Sequence, residues 1–351
     1  MNIAYYISGH GFGHISRSYE IIKYILDNSK SNRIFVNTTR KDFVKEEREG
    51  LTFRNVAVDV GMIQLSSISL NVPKTLDAIF EFEKNKTNTI EKEIDFLEKE
   101  NIDCIISDSS SLPFLLASTL KLPSYFVGNF TWDFIYRNYN KFDLYFDKYA
   151  NDLAMEYNLC DFGFILPFHC PTDSILKKKN IGIVGRKSNA TKGSVRSAIG
   201  FTPDKEYFLF SFGAYGISDQ FHFENLKENQ RIVVSGYEGL VGEKVIDVVD
   251  IHYPDLVKAC DYVLTKPGYG ILSETYMANT PVIYTDRGDF AEYEYLVKAL
   301  NLYHNAAYIS QSDLFSFNLK DAKRQIEIQQ NTKEILVLQD GCSDIFQEIF
   351  L

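Results

Sequence analysis

Residues 3–26 read IAYYISGHGFGHISRSYEIIKYIL, and this stretch decides the class of fold. Its apolar start is typical of a buried strand, and apolar residues three to four apart from Ile15 onward predict a helix with one buried stripe. Between them, residues 9–14 hold three glycines, which allow close approach of a backbone or a ligand, and two histidines, which titrate near neutrality. A strand, a glycine loop and a helix N-terminus in this order indicate a ligand-facing edge of an α/β sheet.

Short apolar stretches alternate with helical stretches through the first half of the chain. Strands are predicted at 3–8, 33–38, 103–107, 124–128 and 162–166. Residues 87–100 carry Ile90, Ile94 and Leu97 among charged residues, which is the pattern of a surface helix. Strands separated by helices predict a parallel sheet covered by helices on both faces.

The stretch 170–206 is a candidate linker, because it holds a proline, a lysine run and several glycines, with one short strand predicted at 181–184. The alternation then restarts. Strands are predicted at 207–212, 231–234, 245–250, 262–265 and 281–285, and helices at 254–260, 270–279 and 290–300. We therefore predict an α/β protein with two doubly wound, Rossmann-like domains, 1–175 and 182–340, around a cleft. For a last helix at 341–351, packing back on the N-terminal domain is one option.

Composition limits the classes of function. The chain has 351 residues, a net charge of −10 and no basic block, which argues against nucleic acid as a partner. Five scattered cysteines without a CxxC pair are typical of reduced thiols, and no metal site is predicted. No signal peptide and no apolar stretch of about 20 residues is visible. We expect a cytoplasmic protein without a transmembrane segment, and we leave peripheral contact with a membrane open.

The first candidate site combines the loop 9–14 with the end of the strand at 103–107. His14 stands at a helix start, where the helix dipole disfavours imidazolium, and a neutral imidazole is what a general base needs. Asp108 ends the strand and is placed to orient a histidine from a neighbouring strand end. The alternatives are a glycine turn that serves packing alone and an aspartate that caps the next helix. The second histidine of the loop, His10, shares the candidacy for the base.

Two further loops follow predicted strands. After the strand at 124–128, Asn129, Thr131 and Asp133 are candidates for facing the cleft, while Phe130 and Trp132 fit an aromatic plug of the core. The stretch SFGAYG at 211–216 has small residues whose free backbone amides could meet phosphate oxygens, and an ordinary loop fits it equally well.

The stretch TKPGYGILSE at 265–274 carries the strongest signal. A strand ends at Thr265, Gly268 and Gly270 permit close approach, and the helix that follows can present its N-terminus to a diphosphate. Glu274 lies about one helical turn further on, where it could accept hydrogen bonds from a ribose diol. The alternative is a solvated helix residue.

Together these segments resemble GT-B glycosyltransferases that use nucleotide sugars. The resemblance is greatest to the glycosyltransferase-like N-terminal region of L-arabinokinases and to relatives of the peptidoglycan N-acetylglucosaminyltransferase. The matching stretches, in order along the chain, are 9–17, 107–113, 129–136, 210–216, 253–274 and 289–296. The resemblance implies that the N-terminal domain takes the acceptor and that the C-terminal domain takes the nucleotide sugar.

The resemblance also implies roles for single residues. It implies His14 as the base, with His10 as the alternative, and Asp108 as its partner. It implies that Glu274 binds the ribose and that 286–292 lines the sugar pocket. The donor-side candidates are Gly213, Tyr215, Lys266, Gly268, Tyr269, Gly270, Ser273, Glu274, Asp289 and Glu292. The acceptor-side candidates are Gly11, Gly13, Arg17, Asn129, Thr131 and Asp133.

The resulting hypothesis is inverting, metal-independent transfer of a sugar from a UDP-sugar to an acceptor hydroxyl. His14 takes the hydroxyl proton, while helix N-terminal amides and Lys266 stabilise the departing diphosphate. No cofactor besides the donor is expected, and the acceptor could be a glycan, lipid, small molecule or protein. An epimerase or hydrolase of nucleotide sugars and a nucleotide-sugar-binding protein without turnover are the alternatives.

Overall fold

The chain packs into two compact units. The computed structural model describes residues 1–44, 46–213, 221, 225–237 and 239–351. The first unit comprises Met1–Ile63, Asn71–Val184 and Leu338–Leu351, and the second comprises Gln64–Leu70 and Gly185–Val337. The sequence analysis assigned all of 1–175 to the first domain, whereas the structure places the segment 64–70 in the second unit. The chain end at 341–351 is part of the first unit.

Strands and helices alternate along both units. Within the described residues the strands are β1 (Asn2–Ile7), β2 (Arg33–Asn37), β3 (Leu51–Arg54), β4 (Gln64–Ser66), β5 (Ser69–Leu70), β6 (Cys104–Asp108), β7 (Ser124–Gly128), β8 (Phe162–Ile165), β9 (Lys178–Asn180), β10 (Glu206–Ser211), β11 (Gln230–Val234), β12 (Val245–Asp247), β13 (Tyr262–Thr265), β14 (Val282–Tyr284) and β15 (Ala306–Tyr308). The α-helices are α1 (Phe12–Asn28), α2 (Val72–Lys99), α3 (Leu112–Leu120), α4 (Trp132–Arg137), α5 (Tyr145–Tyr157), α6 (Lys192–Ala198), α7 (Tyr253–Ala259), α8 (Tyr269–Ala278), α9 (Tyr293–Tyr303), α10 (Gln311–Phe315), α11 (Lys320–Thr332) and α12 (Gly341–Phe350).

The first unit is built on a parallel sheet in the order β3-β2-β1-β6-β7-β8-β9. Apolar side chains of β1, β2 and β6 pack with those of α1 and α12 in its core. The prediction of a strand at 181–184 is wrong. The stretch that pairs with β8 is β9, and its lysines lie at the solvated edge of the sheet. The predicted surface helix is α2, and it begins at Val72 rather than at 87. It begins there because the side chain of Asn71 accepts a hydrogen bond from the backbone amide of Lys74 and a proline occupies the first turn.

The second unit has a parallel sheet in the order β12-β11-β10-β13-β14-β15, and the antiparallel hairpin of β4 and β5 belongs to it. The strand predicted at 245–250 already ends at Asp247, and the edge strand β15 was not predicted. Both sheets are covered by helices that alternate with the strands. The predicted fold class, two doubly wound α/β units, is confirmed.

Parallel pairing brings the carboxyl ends of neighbouring strands to one edge of each sheet. In the first sheet Asp108 pairs with Ile7 on one side and with Val127 on the other. The loops after β1, β6 and β7 therefore meet. In the second sheet the ends of β10, β13 and β14 lie in register in the same way. Ligands of doubly wound sheets bind at such edges.

Replacing Ile345 with alanine is expected to destabilise the first unit by about 2–5 kcal/mol, the usual cost of truncating a fully buried isoleucine. Ile345 is 0% exposed and packs in the core of that unit. The only tryptophan of the chain, Trp132, lies in the same unit, so its fluorescence during urea unfolding reports on that unit. Gln347→Ala on the exposed face of α12 is the control and should change stability by less than about 0.5 kcal/mol. Equal effects of the two changes would contradict the packing of α12 described above.

Candidate functional site

His14 and Asp108 form a buried hydrogen-bonded pair at the carboxyl edge of the first sheet. The distance between His14 Nδ1 and Asp108 Oδ1 is 2.7 Å, and the two side chains are 8% and 0% exposed. Because an ionised carboxylate only accepts, Nδ1 donates the proton and the lone pair lies on Nε2. The alternative interpretation of Asp108 as a helix cap is wrong, since the N-cap of α3 is Ser111. The structure thus places His14 in the tautomer that a base requires.

The carboxylate of Asp108 is saturated with donors. Oδ1 also accepts from Arg17 Nη2 at 2.6 Å, while Oδ2 accepts from Arg17 Nε at 2.7 Å and from Ser18 Oγ at 2.6 Å. Burial raises the pKa of Asp108, but the charge of Arg17 and the hydrogen bonds from Arg17 and His14 outweigh burial and hold that pKa well below its usual range. Asp108 is therefore ionised at neutral pH.

Arg17 of α1 connects the ends of two strands. Besides Asp108, the last residue of β6, its guanidinium donates to Ser109 Oγ at 3.1 Å and to Asn129 Oδ1 after β7. Asn129 Nδ2 in turn donates to the carbonyl of Pro167 at 2.5 Å. Ser109 has a φ of +65°, a left-handed conformation that non-glycine residues rarely adopt and that often marks functional sites. Arg17 and Asn129, both predicted on the acceptor side, thus belong to the same buried network as the pair.

His10 lies in a different environment from His14. Its ring meets Trp132 edge-on, with 5.3 Å between the ring centroids. The ring also packs on Gly61, where a Cβ atom would come within 2.5 Å of His10 Nδ1. Gly11, at φ +75°, is the N-cap of α1, and both it and Gly13 border open space. The structure therefore brings His14, and not His10, to Asp108, while the identity of the base stays a prediction.

Two polar residues of the β7 loop are buried. Thr131 and Asp133 are 0% and 5% exposed. Asp133 Oδ2 accepts from Ser174 Oγ at 2.6 Å, whereas Thr131 Oγ1 and Asp133 Oδ1 have no hydrogen-bond partner among the residues described. Unpaired buried polar atoms are rare and call for an explanation. Their prediction as acceptor-side residues stays untested, and the neighbouring Phe130 and Trp132 are buried as core residues.

In the second unit, the end of β13 and the start of α8 form a positive edge. Gly268 is the N-cap of α8, and the first turn of this helix holds no acidic residue. Lys266 Nζ lies 3.5 Å from the position that a Cβ on Gly268 would take, so this lysine lies beside the helix N-terminus. Burial lowers the pKa of Lys266 well below its usual value, Arg287 lowers it further, and Glu292 opposes both. A lysine, an arginine and a helix N-terminus together favour an anion.

Glu274 is a buried residue of α8 held by an ion pair. It is 5% exposed, and its Oε1 lies 2.8 Å from Arg186 Nε and 2.5 Å from Arg186 Nη2. The alternative of a solvated helix residue is therefore wrong. Ser273 packs on Gly185, whose Cβ would lie 3.1 Å from that of Ser273, and Tyr269 and Gly270 form the first turn of α8.

The other donor-side predictions fall into three groups. Glu292 pairs with Arg287 at 2.8 Å, and Asp289 is exposed. Gly213, after β10, is exposed and has a φ of +73°. Tyr215 lies outside the residues that the structure describes.

Sequence reasoning missed two arginines that pair with the predicted carboxylates. Arg186 holds Glu274, and Arg287 holds Glu292 while its guanidinium lies 4.0 Å from the ring of Phe290. Arg287 is 6% exposed, and its Nε has no partner in the described part of the chain. The predicted carboxylates themselves could have indicated these arginines, because a carboxylate at a buried edge of a sheet needs a cation nearby.

The described residues form neither a metal-binding cluster nor a membrane-spanning helix. They contain no group of three or more histidine, cysteine or acidic side chains that could hold a metal ion. Within the same residues, no helix has the length and apolar character that crossing a bilayer requires.

No family model matches the chain. The chain is 27% identical over 326 residues to L-arabinokinase from Arabidopsis thaliana, an alignment that covers 89% of this chain. It spans 30% of the length of that relative.

Solved structures match almost the entire chain at low identity. Phytolacca americana UGT2, complexed with UDP-2-fluoro-glucose and pterostilbene, is 11% identical with a TM-score of 0.62, over 99% of this chain and 98% of that chain. Arabidopsis thaliana UGT89C1, complexed with UDP, is 13% identical with a TM-score of 0.64 over the same shares. The calicheamicin glycosyltransferase CalG4 is 14% identical with a TM-score of 0.59, over 93% and 89%. This chain therefore has the GT-B fold, which is the fold of these glycosyltransferases.

Proposed function

We propose that this protein is an inverting, metal-independent glycosyltransferase that moves a sugar from a UDP-sugar to an acceptor hydroxyl. The observation that carries the proposal is the 2.7 Å hydrogen bond between His14 and Asp108, which leaves the lone pair on His14 Nε2. The first unit supplies this base, and the second unit holds the nucleotide. The UDP donor, the lack of a metal and a cytoplasmic location are parts of the same proposal.

The chemical step begins with the acceptor. His14 Nε2 takes the hydroxyl proton while the oxygen attacks the anomeric carbon of the sugar. The bond from that carbon to the diphosphate oxygen breaks, and UDP leaves with the electron pair. The product is a glycoside with inverted configuration. The Nδ1 proton of the imidazolium stays on the ring and is hydrogen-bonded to Asp108. A positioned base of this kind contributes about 10²- to 10⁴-fold to the rate.

The second unit stabilises the negative charge that develops on UDP. The first amides of α8 and the ammonium of Lys266 face the diphosphate, and Arg287 adds a buried positive charge nearby. The lowered pKa of Lys266 reflects the cost of a positive charge without an anion, and a bound diphosphate removes that cost. Fixed donors of this type replace the metal ion that many phosphate sites need.

Glu274 holds the ribose in this proposal. Its carboxylate accepts from the diol, and the ion pair with Arg186 fixes its orientation. The solved neighbours support a UDP-sugar as the donor, because one was determined with UDP and another with a UDP-sugar analogue and pterostilbene.

Changing Glu274 to glutamine is expected to weaken UDP binding by about 10- to 100-fold, because a charged hydrogen bond contributes about 1.5–3 kcal/mol. Isothermal titration with UDP and with 2′,3′-dideoxy-UDP measures the effect. The wild type should discriminate between the two nucleotides, and the variant should have lost most of that discrimination. Glu294→Gln, at an exposed position of α9, is the control. Full discrimination by Glu274→Gln would show that Glu274 does not hold the ribose.

A thermal-shift panel of nucleotide sugars tests the proposal as a whole, since a ligand that binds the native state raises its apparent stability. The donor that shifts the transition is then incubated with an acceptor panel, and UDP release and glycoside are measured. Release of UDP with a new glycoside of inverted configuration is the expected result.

A nucleotide-sugar-binding protein without turnover is the second candidate. It is favoured because the curated relative is named for a kinase activity and this chain spans 30% of it. Tight donor binding without product from any acceptor would support this candidate. Conversion of the UDP-sugar without acceptor, to an epimer or a free sugar, would indicate an epimerase or hydrolase.

A further inference from the structure

Arg17 is buried beside the histidine–carboxylate pair. Its guanidinium donates to both carboxylate oxygens of Asp108, from Nε to Oδ2 and from Nη2 to Oδ1, and we call this bidentate arrangement the arginine fork. Nη2 also lies 3.1 Å from His14 Nδ1. The side chain is 8% exposed, so solvent screens its charge little. Ser109 and Asn129 fix the remaining donors of the fork.

The short contact between Arg17 and His14 is a contact of two donors. A hydrogen bond from Nη2 to Nδ1 would require the proton on Nε2, and the 2.7 Å contact from Nδ1 to Asp108 Oδ1 would then join two acceptors. The shorter distance, 2.7 Å against 3.1 Å, favours the proton on Nδ1. Arg17 therefore acts on His14 through its charge and through Asp108.

The buried charges around the pair are balanced while His14 is neutral. Asp108 carries −1 and Arg17 carries +1, so an imidazolium would leave these three groups with a net positive charge. Tyr5 of β1 is a further titratable group near this pair, and its buried hydroxyl has a raised pKa and stays neutral. Phe130, which meets the His14 ring edge-on at 5.7 Å, carries no charge.

We infer that Arg17 is a positioning residue that keeps His14 unprotonated, because its positive charge neutralises Asp108 and lies beside Nδ1. In a histidine–carboxylate pair without such a cation, the carboxylate would favour the imidazolium. Arg17 thus keeps the base in its proton-accepting form at lower pH, and the arginine fork holds Asp108 so that Nε2 keeps its direction. The catalytic meaning of this inference rests on the proposed function.

The test follows the protonation of His14 in the full chain by ¹⁵N NMR of its imidazole, with His14→Asn used to assign the signals. In the wild type the neutral ring should carry its proton on Nδ1. In Arg17→Met, which keeps an apolar stem and removes the charge, the midpoint of protonation should move to higher pH by about one unit or more. Arg17→Lys, which keeps the charge without the fork, should stay closer to the wild type. Lys23→Met on the same helix, where Lys23 pairs with Glu20, is the control and should leave the midpoint unchanged.

Trp132 fluorescence verifies that each variant is folded, and Arg17→Gln replaces Arg17→Met if the latter does not fold. An unchanged midpoint in a folded, uncharged variant would overturn the inference and leave Arg17 a merely structural role. If transfer is found, the acid limb of its pH profile should move together with the midpoint. A shifted midpoint in a protein that transfers no sugar would support the inference while contradicting the proposed function.

Discussion

Replacing His14 with alanine is expected to lower sugar transfer by about 10²- to 10⁴-fold, because the acceptor hydroxyl loses the group that takes its proton. UDP affinity should stay within about twofold of the wild type, since the proposed nucleotide residues all lie in the second unit. Initial rates of glycoside formation, together with isothermal titration of UDP, measure both effects.

His10→Ala is the matched control for this prediction. His10 belongs to the same loop but packs on Trp132 and Gly61, so its loss should affect transfer less than the loss of His14. If His10→Ala abolishes transfer and His14→Ala retains it, the assignment of the base moves to His10. If both variants transfer normally, neither histidine is the base and the proposed mechanism fails.

The fold could be predicted from the sequence because each strand–loop–helix unit is encoded locally. The stretch 3–26 already contains a buried strand, a glycine turn and an amphipathic helix, and the structure contains β1 and α1 there. Elements without a clear apolar pattern escaped prediction. The edge strand β9 consists of lysines and an asparagine, and the first half of α2 depends on the cap at Asn71 rather than on periodicity.

The candidate site could be predicted only in part, for a similar reason. Residues that follow strand ends can be found in a sequence, and His14, Asp108 and Glu274 were found in that way. The pairing of His14 with Asp108 could also be predicted, because both lie at strand ends. The contacts of Arg17 could not, because Asp108 is 91 positions away from Arg17 and Asn129 is 112 away. Their meeting depends on the strand order, which places β6 between β1 and β7. Arg186, 88 positions from Glu274, escaped prediction for the same reason.

Changing Asp108 to asparagine is expected to destabilise the first unit by about 3–5 kcal/mol, the usual cost of breaking a buried ion pair by removing one partner. The amide keeps the size of the carboxylate but leaves the charge of Arg17 unpaired in a buried place. Urea unfolding followed by Trp132 fluorescence measures the loss. The amide can also donate to His14 Nδ1 and so select the wrong tautomer, which should lower transfer further.

The pH dependence of unfolding stability distinguishes the contribution of the charge of Asp108 from the contribution of its side-chain shape. The folded pKa of Asp108 lies below the value of about 3.9 found in unfolded chains. Its contribution is therefore fully present above about pH 4 and is lost as the pH falls through the folded value. The stability of the wild type should fall in this acid range more steeply than that of Asp108→Asn, which has no group to protonate at this position.

A double variant decides whether the unpaired charge of Arg17 causes the loss. If it does, Asp108→Asn combined with Arg17→Met should be more stable than Asp108→Asn alone, because the second change removes the buried cation. The coupling energy from the four proteins of this cycle should be about 1 kcal/mol or more, as is usual for residues in one hydrogen-bond network. Additive losses would instead mean that Asp108 and Arg17 stabilise the unit independently, and the charge balance inferred for this edge of the sheet would be wrong.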